Sequence, residues 1–227
     1  MEMTAEELNH LEYQRTDLSV HIPPECDLIH EYLEDATLVG NKVLEVGPGN
    51  GRTVTYLLEQ GLTVDVLDHS QEVLDALVTN LVKYQVPSDS LKITKADIVT
   101  AELGESVYSL VSVSHVLHFL HFNAIPVVLS KIKQALALGG ILFFRGHSSN
   151  DPHAPEVGDY VKHFFSQEDF RWFEENGFKR LYFSEVRCRS SVRSARFRSS
   201  AEGFPEDFDY YLEGEQVHFD AVFRRDR

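Results

Sequence analysis

Short apolar runs alternate with amphipathic helical patterns along the middle of the chain. Strand-like runs occur at 42–46, 63–67, 91–96, 108–113 and 141–146. Between them, RTVTYLLEQG, SQEVLDALVTNLVKY and AIPVVLSKIKQALALGG have helical spacing, and Gly61 and Gly139-Gly140 lie where helix C-caps are expected. This order predicts an α/β fold with a mainly parallel sheet and helices on both faces.

Beyond the fifth run the pattern changes. SQEDFRWFEENGF predicts a helix that opens with Ser166 as N-cap, has Asp169 in the capping-box position and ends at Gly177. FKRLYFSEVRC and EQVHFDAVFRR then read as two long strands without a helix between them. Such a pair favours a C-terminal antiparallel hairpin at the sheet edge. The whole pattern predicts a Rossmann-like, seven-stranded sheet.

The first forty residues carry helical patterns of their own. TAEELNHLEY and PECDLIHEYLEDA are separated by a break at Ile22-Pro23-Pro24, and Pro24 suits the first turn of the second helix. We therefore predict an N-terminal helical cap over residues 1–40 and one main domain over residues 41–227. A chain of 227 residues is long enough to bury a core without disulfides or metal.

Composition narrows the classes of partner. The net charge of −15 disfavours nucleic acid or an anionic membrane as the main partner, because both repel an acidic surface. Cys26 and Cys188 lack metal-ligand spacing and indicate a reducing, cytoplasmic setting. MEMTAEELNH lacks the apolar segment of a signal peptide. Residues 106–130 hold no Asp, Glu, Lys or Arg, but their three histidines and Pro126 argue against a membrane span.

A glycine-rich turn follows the first strand-like run in VLEVGPGNGR. Gly47, Gly49 and Gly51 have no Cβ, so the backbone can turn tightly there and approach a ligand closely. Asp68 follows the last of these glycines by 17 residues and ends the second strand-like run. A carboxylate at that place can accept hydrogen bonds from a ribose diol. The sequence therefore predicts a site for a nucleoside-type ligand.

The motifs in this order resemble those of a known enzyme family. The turn has the spacing G-x-G-x-G, whereas nicotinamide-binding turns prefer G-x-G-x-x-G. Glu45 precedes the turn, Asp97 ends the third strand-like run, and Gly139-Gly140 precedes the fifth. Over about residues 25 to 225 the chain resembles the class I S-adenosylmethionine-dependent methyltransferases. HVLHFLHFNAIPVVLSKIKQALALGG and the later HFFSQEDFRWFEENGF are similar to the tellurite-resistance and related small-molecule branch.

The resemblance implies S-adenosylmethionine as the cofactor and residues 41–227 as the methyltransferase domain. The cofactor-binding residues that it implies are Glu45, Gly47, Gly49, Asp68, His69, Asp97, Ile98 and Ser114. In this assignment Asp68 accepts from both ribose hydroxyls, and Asp97 accepts from the adenine amino group. Other roles stay open: Glu45 can hold the loop by hydrogen bonds, Asp97 can belong to a strand-end turn, and Asp68 can interact with a helix dipole.

Histidines supply the candidate chemistry on the acceptor side. His115, His118 and His121 have i, i+3, i+6 spacing, but no Asp, Glu or Cys partner lies close in sequence, so we predict no metal there. If the acceptor needs a general base, His115, His118 or His147 would serve near neutral pH.

Substrate contacts are expected from the loop after the fifth strand-like run and from an arginine patch. Tyr160 lies in that loop, and loops above the sheet commonly carry substrate residues. Arg187 and Arg189 open a run of five arginines that ends at Arg198. The run could bind a carboxylate or oxyanion acceptor, but a solvated face or a homodimer contact is favoured.

These observations favour a methyltransferase that acts on a small-molecule acceptor by in-line methyl transfer. A non-catalytic binding or adaptor protein with the same fold is the alternative, since a fold alone does not establish activity. A nicotinamide-dependent reductase fits Asp68 but not the glycine spacing. The sequence leaves the acceptor and its methylated atom open.

Overall fold

A seven-stranded sheet forms the centre of the structure, a computed structural model that describes residues 24–152, 161–189 and 215–226. In chain order the elements are α1 Pro24–Thr37, β1 Lys42–Val46, α2 Arg52–Glu59, β2 Thr63–Asp68, α3 Gln71–Lys83, β3 Leu91–Lys95, β4 Tyr108–Ser114, α4 Ile125–Ala135, β5 Leu136–His147, α5 Arg171–Glu175, β6 Phe178–Arg189 and β7 Glu215–Arg225. Two 3-10 turns, Leu117–Phe119 and Phe122–Ala124, connect β4 to α4.

The strand order is β3-β2-β1-β4-β5-β7-β6. Strands β1 to β5 are parallel to their neighbours, and β7 is antiparallel to both β5 and β6. The predicted seven-stranded sheet with its C-terminal hairpin is therefore confirmed. The order reverses between β1 and β4, which is the position where open α/β sheets form their ligand crevice.

The core has one layer on each face of the sheet, because neighbouring strand residues point to opposite sides. Leu44 and Phe144 pack on one face, where α4 and the aromatic side chains around α5 cover the sheet. Val43 and Phe143 pack on the other face, under α1, α2 and α3. The prediction of helices on both faces is confirmed.

The first three described helices lie where the sequence predicts them. Pro24 is in the first turn of α1, Gly61 follows α2 with φ +76°, and the Ser70 hydroxyl caps α3 by accepting from the Val73 N–H at 3.3 Å. Residues 1–23 and the helix predicted in them lie outside the described residues. The division at residue 40 stays a prediction.

Strand β5 is longer than predicted, and the cap prediction for Gly139-Gly140 is wrong. Helix α4 ends at Ala135 and β5 begins at Leu136, so both glycines lie inside the strand. Gly139 has φ +82°, and the pairing of β5 with β4 shifts register at this place. A G1-type bulge and a glycine helix cap both use a residue with positive φ, so the sequence does not distinguish them.

Two predicted helical segments are shortened. Ser166 and Asp169 do contact each other as predicted, with the Ser166 N–H donating to Asp169 Oδ2 at 2.7 Å, but α5 spans only Arg171–Glu175. Phe165, Phe170 and Phe173 all contact the Phe144 ring, and their spacing does not fit one stripe of a helix. The helix predicted from AIPVVLSKIKQALALGG is α4, which ends at Ala135, and the HVLHFLH segment before it contains the first 3-10 turn.

Candidate active site

The glycine turn connects the end of β1 to the start of α2. Gly47, Gly49 and Gly51 have φ values of +68°, +54° and +91°, so each adopts the left-handed region that favours glycine. The Gly47 N–H donates to the carbonyl of Leu67 on β2 at 2.9 Å. The turn is thereby fixed beside the end of β2, where Asp68 lies.

A side chain that the sequence analysis did not single out holds the turn from α3. The amide Nδ2 of Asn80 donates to the carbonyl of Asn50 at 3.0 Å, and both side chains are buried. Asn80 is a polar residue on an otherwise apolar helix face, and that was the signal available in the sequence. Asn80 positions the turn for a ligand without lying in the turn itself.

Replacing Gly47 with alanine is expected to abolish ligand binding at the turn. A Cβ there would overlap the Val116 side chain, and the positive φ adds about 1–2 kcal/mol of strain. Isothermal titration with S-adenosylhomocysteine and thermal unfolding measure the two effects. Gly61→Ala is the matched control, because φ is +76° and a Cβ meets nothing within 4 Å. Equal loss of stability with unchanged ligand affinity in both variants would contradict the role of Gly47.

Replacing Asn80 with alanine is expected to lower ligand affinity roughly tenfold. The Asn50 carbonyl loses its donor, and an unmade buried hydrogen bond costs about 1–3 kcal/mol. The same titration measures the affinity. Thr79→Ala is the control, because the Thr79 hydroxyl is exposed and donates only within its own helix, to the Asp75 carbonyl. Equal affinities for the two variants would remove Asn80 from the site.

Asp68 ends β2 beside the glycine turn. Its side chain is 10% exposed, and Oδ1 accepts from the Ser70 N–H at 2.8 Å. Burial raises the pKa of Asp68, and the hydrogen bond from Ser70 and the nearby His69 offset only part of this effect. A carboxylate can accept about four hydrogen bonds, so this one has capacity for further donors. Donors from a ligand would stabilise its charged form.

The other residues that the resemblance implies follow or end the parallel strands. Glu45 is buried within β1, and Ser114 is the last residue of β4. His69 is 76% exposed, with Nδ1 3.3 Å from Asp68 Oδ1. Asp97 is exposed and Ile98 buried, and Asp97 Oδ1 accepts from the Val99 N–H at 2.8 Å, as a strand-end turn residue does. Their contacts with a cofactor stay predictions.

Three histidines that are separate in sequence meet at the same edge of the sheet. His115 follows β4 with φ +55°, His118 lies in the first 3-10 turn, and His147 ends β5. Ring centroids lie 4.5 Å apart for His118 and His147, 5.1 Å for His115 and His147, and 5.6 Å for His115 and His118. One nitrogen from each ring lies within 4.8 Å of the others. We call these three residues the histidine cluster.

The histidine cluster is held in its neutral form. Burial lowers the pKa of His115 and His118 well below the ordinary histidine value, and the neighbouring rings lower it further. Burial also lowers the pKa of His147, although the Asp151 carboxylate partly offsets this effect. Neutral imidazoles can accept a proton or donate a lone pair to a metal ion.

A buried ion pair supports the cluster from β5 and β7. Arg145 donates through Nε and an Nη to the two carboxylate oxygens of Asp220, at 2.5 and 2.6 Å. His218 lies on β7 directly opposite His147, with its ring 5.7 Å from that of His115. The sequence analysis missed these three residues. Their signal was one Arg and one Asp within otherwise apolar strand runs, since buried charges are normally paired.

The predicted substrate residues are only partly described. Arg187 is exposed on β6, in register with Val217, so it lies two strands from His147 at the same edge of the sheet. Arg189 ends β6, but its side chain is outside the described part of the structure. Tyr160 and the rest of the arginine run also lie outside the described residues. Their contacts with an acceptor stay predictions.

A cavity of about 340 Å³ lies between Phe122, α4 and α5. His163 and Trp172 contribute to its lining, whereas the glycine turn, Asp68 and the histidine cluster do not. Among the described residues, no helix has the length and apolar character needed to cross a bilayer.

Comparison with known proteins identifies the class of domain. Residues 44–144 match the family model of a methyltransferase domain. No curated protein sequence matches the chain. Solved structures with the same fold include a proposed sarcosine dimethylglycine methyltransferase from Galdieria sulphuraria, with a TM-score of 0.70, 13% identity, and coverage of 88% of this chain and 84% of that one.

Two further structures share the fold, and one of them was solved with S-adenosylhomocysteine bound. The 1,6-didemethyltoxoflavin-N1-methyltransferase of Burkholderia thailandensis, with 1,6-didemethyltoxoflavin and S-adenosylhomocysteine bound, has a TM-score of 0.64, 16% identity, and coverage of 91% and 78%. TehB from Haemophilus influenzae has a TM-score of 0.63, 18% identity, and coverage of 86% and 62%. The family model therefore identifies residues 44–144 as a methyltransferase domain, and these structures show that the chain shares the fold of methyltransferases.

Proposed function

We propose that this chain methylates a small-molecule acceptor by in-line transfer, with the acceptor bound beside the histidine cluster. One observation carries the proposal: the glycine turn, Asp68 and the histidine cluster all lie at the carboxyl ends of parallel strands. Cofactor and acceptor would therefore meet at one edge of the sheet, with Ser114 and His115 between the two.

The residues of the turn fit S-adenosylmethionine, which supplies an activated methyl group when bound. Gly47 and Gly49 admit a ligand close to the backbone, and Asp68 has acceptor capacity and a pKa raised by burial, both of which favour ligand donors. Asp97 lies after the neighbouring strand, where the resemblance expects the adenine amino group. In this proposal these residues bind and orient the cofactor. Most of the catalysis comes from alignment of the acceptor atom with the methyl group.

The acceptor side offers chemistry that suits a protic small molecule. A neutral ring can take a proton from an acceptor hydroxyl or ammonium group, and His147 suits this role best of the three because its pKa is lowered less than those of His115 and His118. The two solved neighbours with named acceptors, sarcosine dimethylglycine and 1,6-didemethyltoxoflavin methyltransferases, are named for small molecules. These names support a small-molecule acceptor here without specifying it.

The surface charge supports the same class of acceptor. A formal charge of −15 disfavours binding to nucleic acid. We extend the proposal to a cytoplasmic location, because Cys26 and Cys188 lack metal-ligand spacing and indicate a reducing setting. The arginine run remains a candidate contact for an anionic acceptor or for a second copy of the chain.

Binding and turnover test the proposal separately. Isothermal titration with S-adenosylhomocysteine should show one saturable site per chain, and no binding at millimolar ligand would overturn the cofactor assignment. Transfer of labelled methyl from S-adenosylmethionine to a panel of small metabolites should then identify an acceptor class. Saturable cofactor binding without transfer to any of a broad panel would favour the adaptor alternative.

A further inference from the structure

We propose that His115, His118 and His147 form a binding site for one divalent transition-metal ion of the Zn²⁺ type. The metal site stands on the geometry of this chain. Its suggested role toward the acceptor, given below, rests on the proposed methyl transfer. The sequence analysis predicted no metal because it saw no nearby partner for the HVLHFLH histidines, whereas the fold brings His147 to them from β5.

The spacing of the three rings fits a metal ion after small side-chain movements. Zn–N bonds are about 2.0–2.1 Å long, so ligand nitrogens around one tetrahedral ion lie roughly 3.4 Å apart. The corresponding nitrogens here all lie within 4.8 Å of one another. His115 holds φ +55°, a strained conformation for a residue that is not glycine, and its N–H donates to the Arg145 carbonyl at 2.9 Å. The main chain at His115 is therefore fixed against the end of β5.

Unsatisfied nitrogen atoms give an independent indication of a missing ligand. Nδ1 of His118 and Nδ1 of His147 are buried and have no hydrogen-bond partner among the described residues. His118 is only 1% exposed, so water cannot freely satisfy it. A buried polar atom without a partner costs about 1–3 kcal/mol, and such atoms are rare in folded proteins. An ion bound within the cluster would give such nitrogen atoms a partner.

The local charges favour a cation. Metal ions bind imidazole in its neutral form. Arg145 is the nearby positive charge, and the Asp220 carboxylate neutralises it at 2.5 Å. Asp151 Oδ2 lies 3.8 Å from His147 Nδ1 and adds a negative charge beside the cluster.

Three imidazoles select the class of metal and leave room for a substrate. Imidazole suits Zn²⁺, Fe²⁺, Ni²⁺ and Cu²⁺, whereas Mg²⁺ and Ca²⁺ prefer oxygen ligands. Three protein ligands leave a fourth position for water or substrate, as in catalytic zinc sites. The acceptor class that follows is a small molecule with a hydroxyl or thiol that binds the ion. The ion would lower the pKa of that group, its proton would leave to solvent, and the histidines would then act as ligands instead of as bases.

Cobalt absorption tests the site on the full, untagged chain after treatment with a chelator. Titration with Co²⁺ should produce visible d–d bands that saturate at one ion per chain, and added Zn²⁺ should bleach them. The midpoint temperature of thermal unfolding should rise when Zn²⁺ is added but not when Mg²⁺ is added. The absence of saturable cobalt bands up to millimolar Co²⁺ would overturn the proposal.

Single substitutions locate the ion. His147→Ala and His118→Ala should each weaken Co²⁺ binding by more than about 100-fold, since even outer partners of metal ligands are worth 10–100-fold. His121→Ala is the matched control, because His121 belongs to the same HVLHFLH segment but is exposed. Equal loss in the His121 variant, or no loss in the His147 variant, would show that the ion binds elsewhere and would contradict the assignment.

Titration with the cofactor product distinguishes failure of the proposed metal site from failure of the proposed methyl transfer. Each variant is also titrated with S-adenosylhomocysteine, and retained binding shows that the fold is intact although a buried histidine has been removed. Cofactor binding without metal binding would overturn only the metal site. Metal binding without cofactor binding would leave the metal site standing and overturn the proposed methyl transfer.

Discussion

Replacing Asp220 with asparagine is expected to lower the free energy of unfolding by about 3–5 kcal/mol. Arg145 and Asp220 are each 6% exposed and share two short hydrogen bonds across β5 and β7. Removing one charge leaves the other buried without compensation, and broken buried pairs typically lose this amount. Denaturant unfolding of both proteins measures the difference.

An exposed pair at the end of the same strand provides the control. Arg224 Nε lies 2.9 Å from Asp226 Oδ1, but these side chains are 36% and 39% exposed. Asp226→Asn should therefore change the free energy of unfolding by less than about 1 kcal/mol. The double variant Arg145→Met/Asp220→Leu should recover most of the loss, because apolar side chains replace a buried pair at little cost. A loss below 1 kcal/mol for Asp220→Asn alone would contradict a buried, paired charge.

The same pair predicts a pH dependence with a definite sign. Burial alone would raise the pKa of Asp220, but hydrogen bonds from Arg145 and His218 outweigh it and hold the pKa below its ordinary value. The stabilisation is therefore complete above the unfolded-state pKa of about 3.9 and is lost as the pH falls through the lower folded-state pKa. When unfolding is measured between pH 7 and pH 2, the free energy of unfolding should fall more steeply with decreasing pH in the original protein than in Asp220→Asn.

Replacing Asp68 with alanine is expected to weaken cofactor binding by about 2–4 kcal/mol, or roughly 30- to 700-fold. The reason is the loss of charge-assisted hydrogen bonds to the ribose hydroxyls, which are then left without an acceptor. Isothermal titration with S-adenosylhomocysteine measures the change. Thermal unfolding should change little, because burial of the charged group in the free protein is itself unfavourable.

Asp89→Ala is the matched control for Asp68. Asp89 is exposed in the turn before β3, at the opposite edge of the sheet from the glycine turn. Its replacement makes the same change in net charge and should leave cofactor affinity unaltered. If both variants bind as tightly as the original protein, Asp68 is not in the site. If both lose affinity equally, the effect is one of overall charge.

The sequence predicts those parts of the fold that follow from local periodicity. β1 and β7 match their apolar runs to the residue, and the parallel arrangement of β1 to β5 follows from the alternation of strands with helices. The glycine turn and Asp68 are predictable for the same reason, since both are local signals in one βαβ unit. Gly139 was predicted as a helix cap, but it lies in a bulge. Its positive φ fits both kinds of structure.

The parts that the sequence does not predict depend on long-range contacts. His115 and His147 are 32 positions apart, and Arg145 and Asp220 are 75 apart, so their proximity follows only from which strands pair. Asn80 and Asn50 are 30 positions apart, so their contact also depends on how the elements pack. A charged or amide side chain in an apolar run indicates that the side chain has a buried partner, but the sequence does not identify that partner.

The place of β7 in the sheet has a consequence for the order in which the protein forms. β7 is the last strand in sequence, yet it lies between β5 and β6 and contacts both along their length. Until β7 is made, β5 has an open edge that exposes Arg145, and β6 has no strand to join. During synthesis β1 to β5 can pair with one another first. The pairing of β5 and β6 with β7 can form only after β7 has been made. Distant pairing of this kind is slow, so the period with an open β5 edge is when the growing chain is most exposed to aggregation.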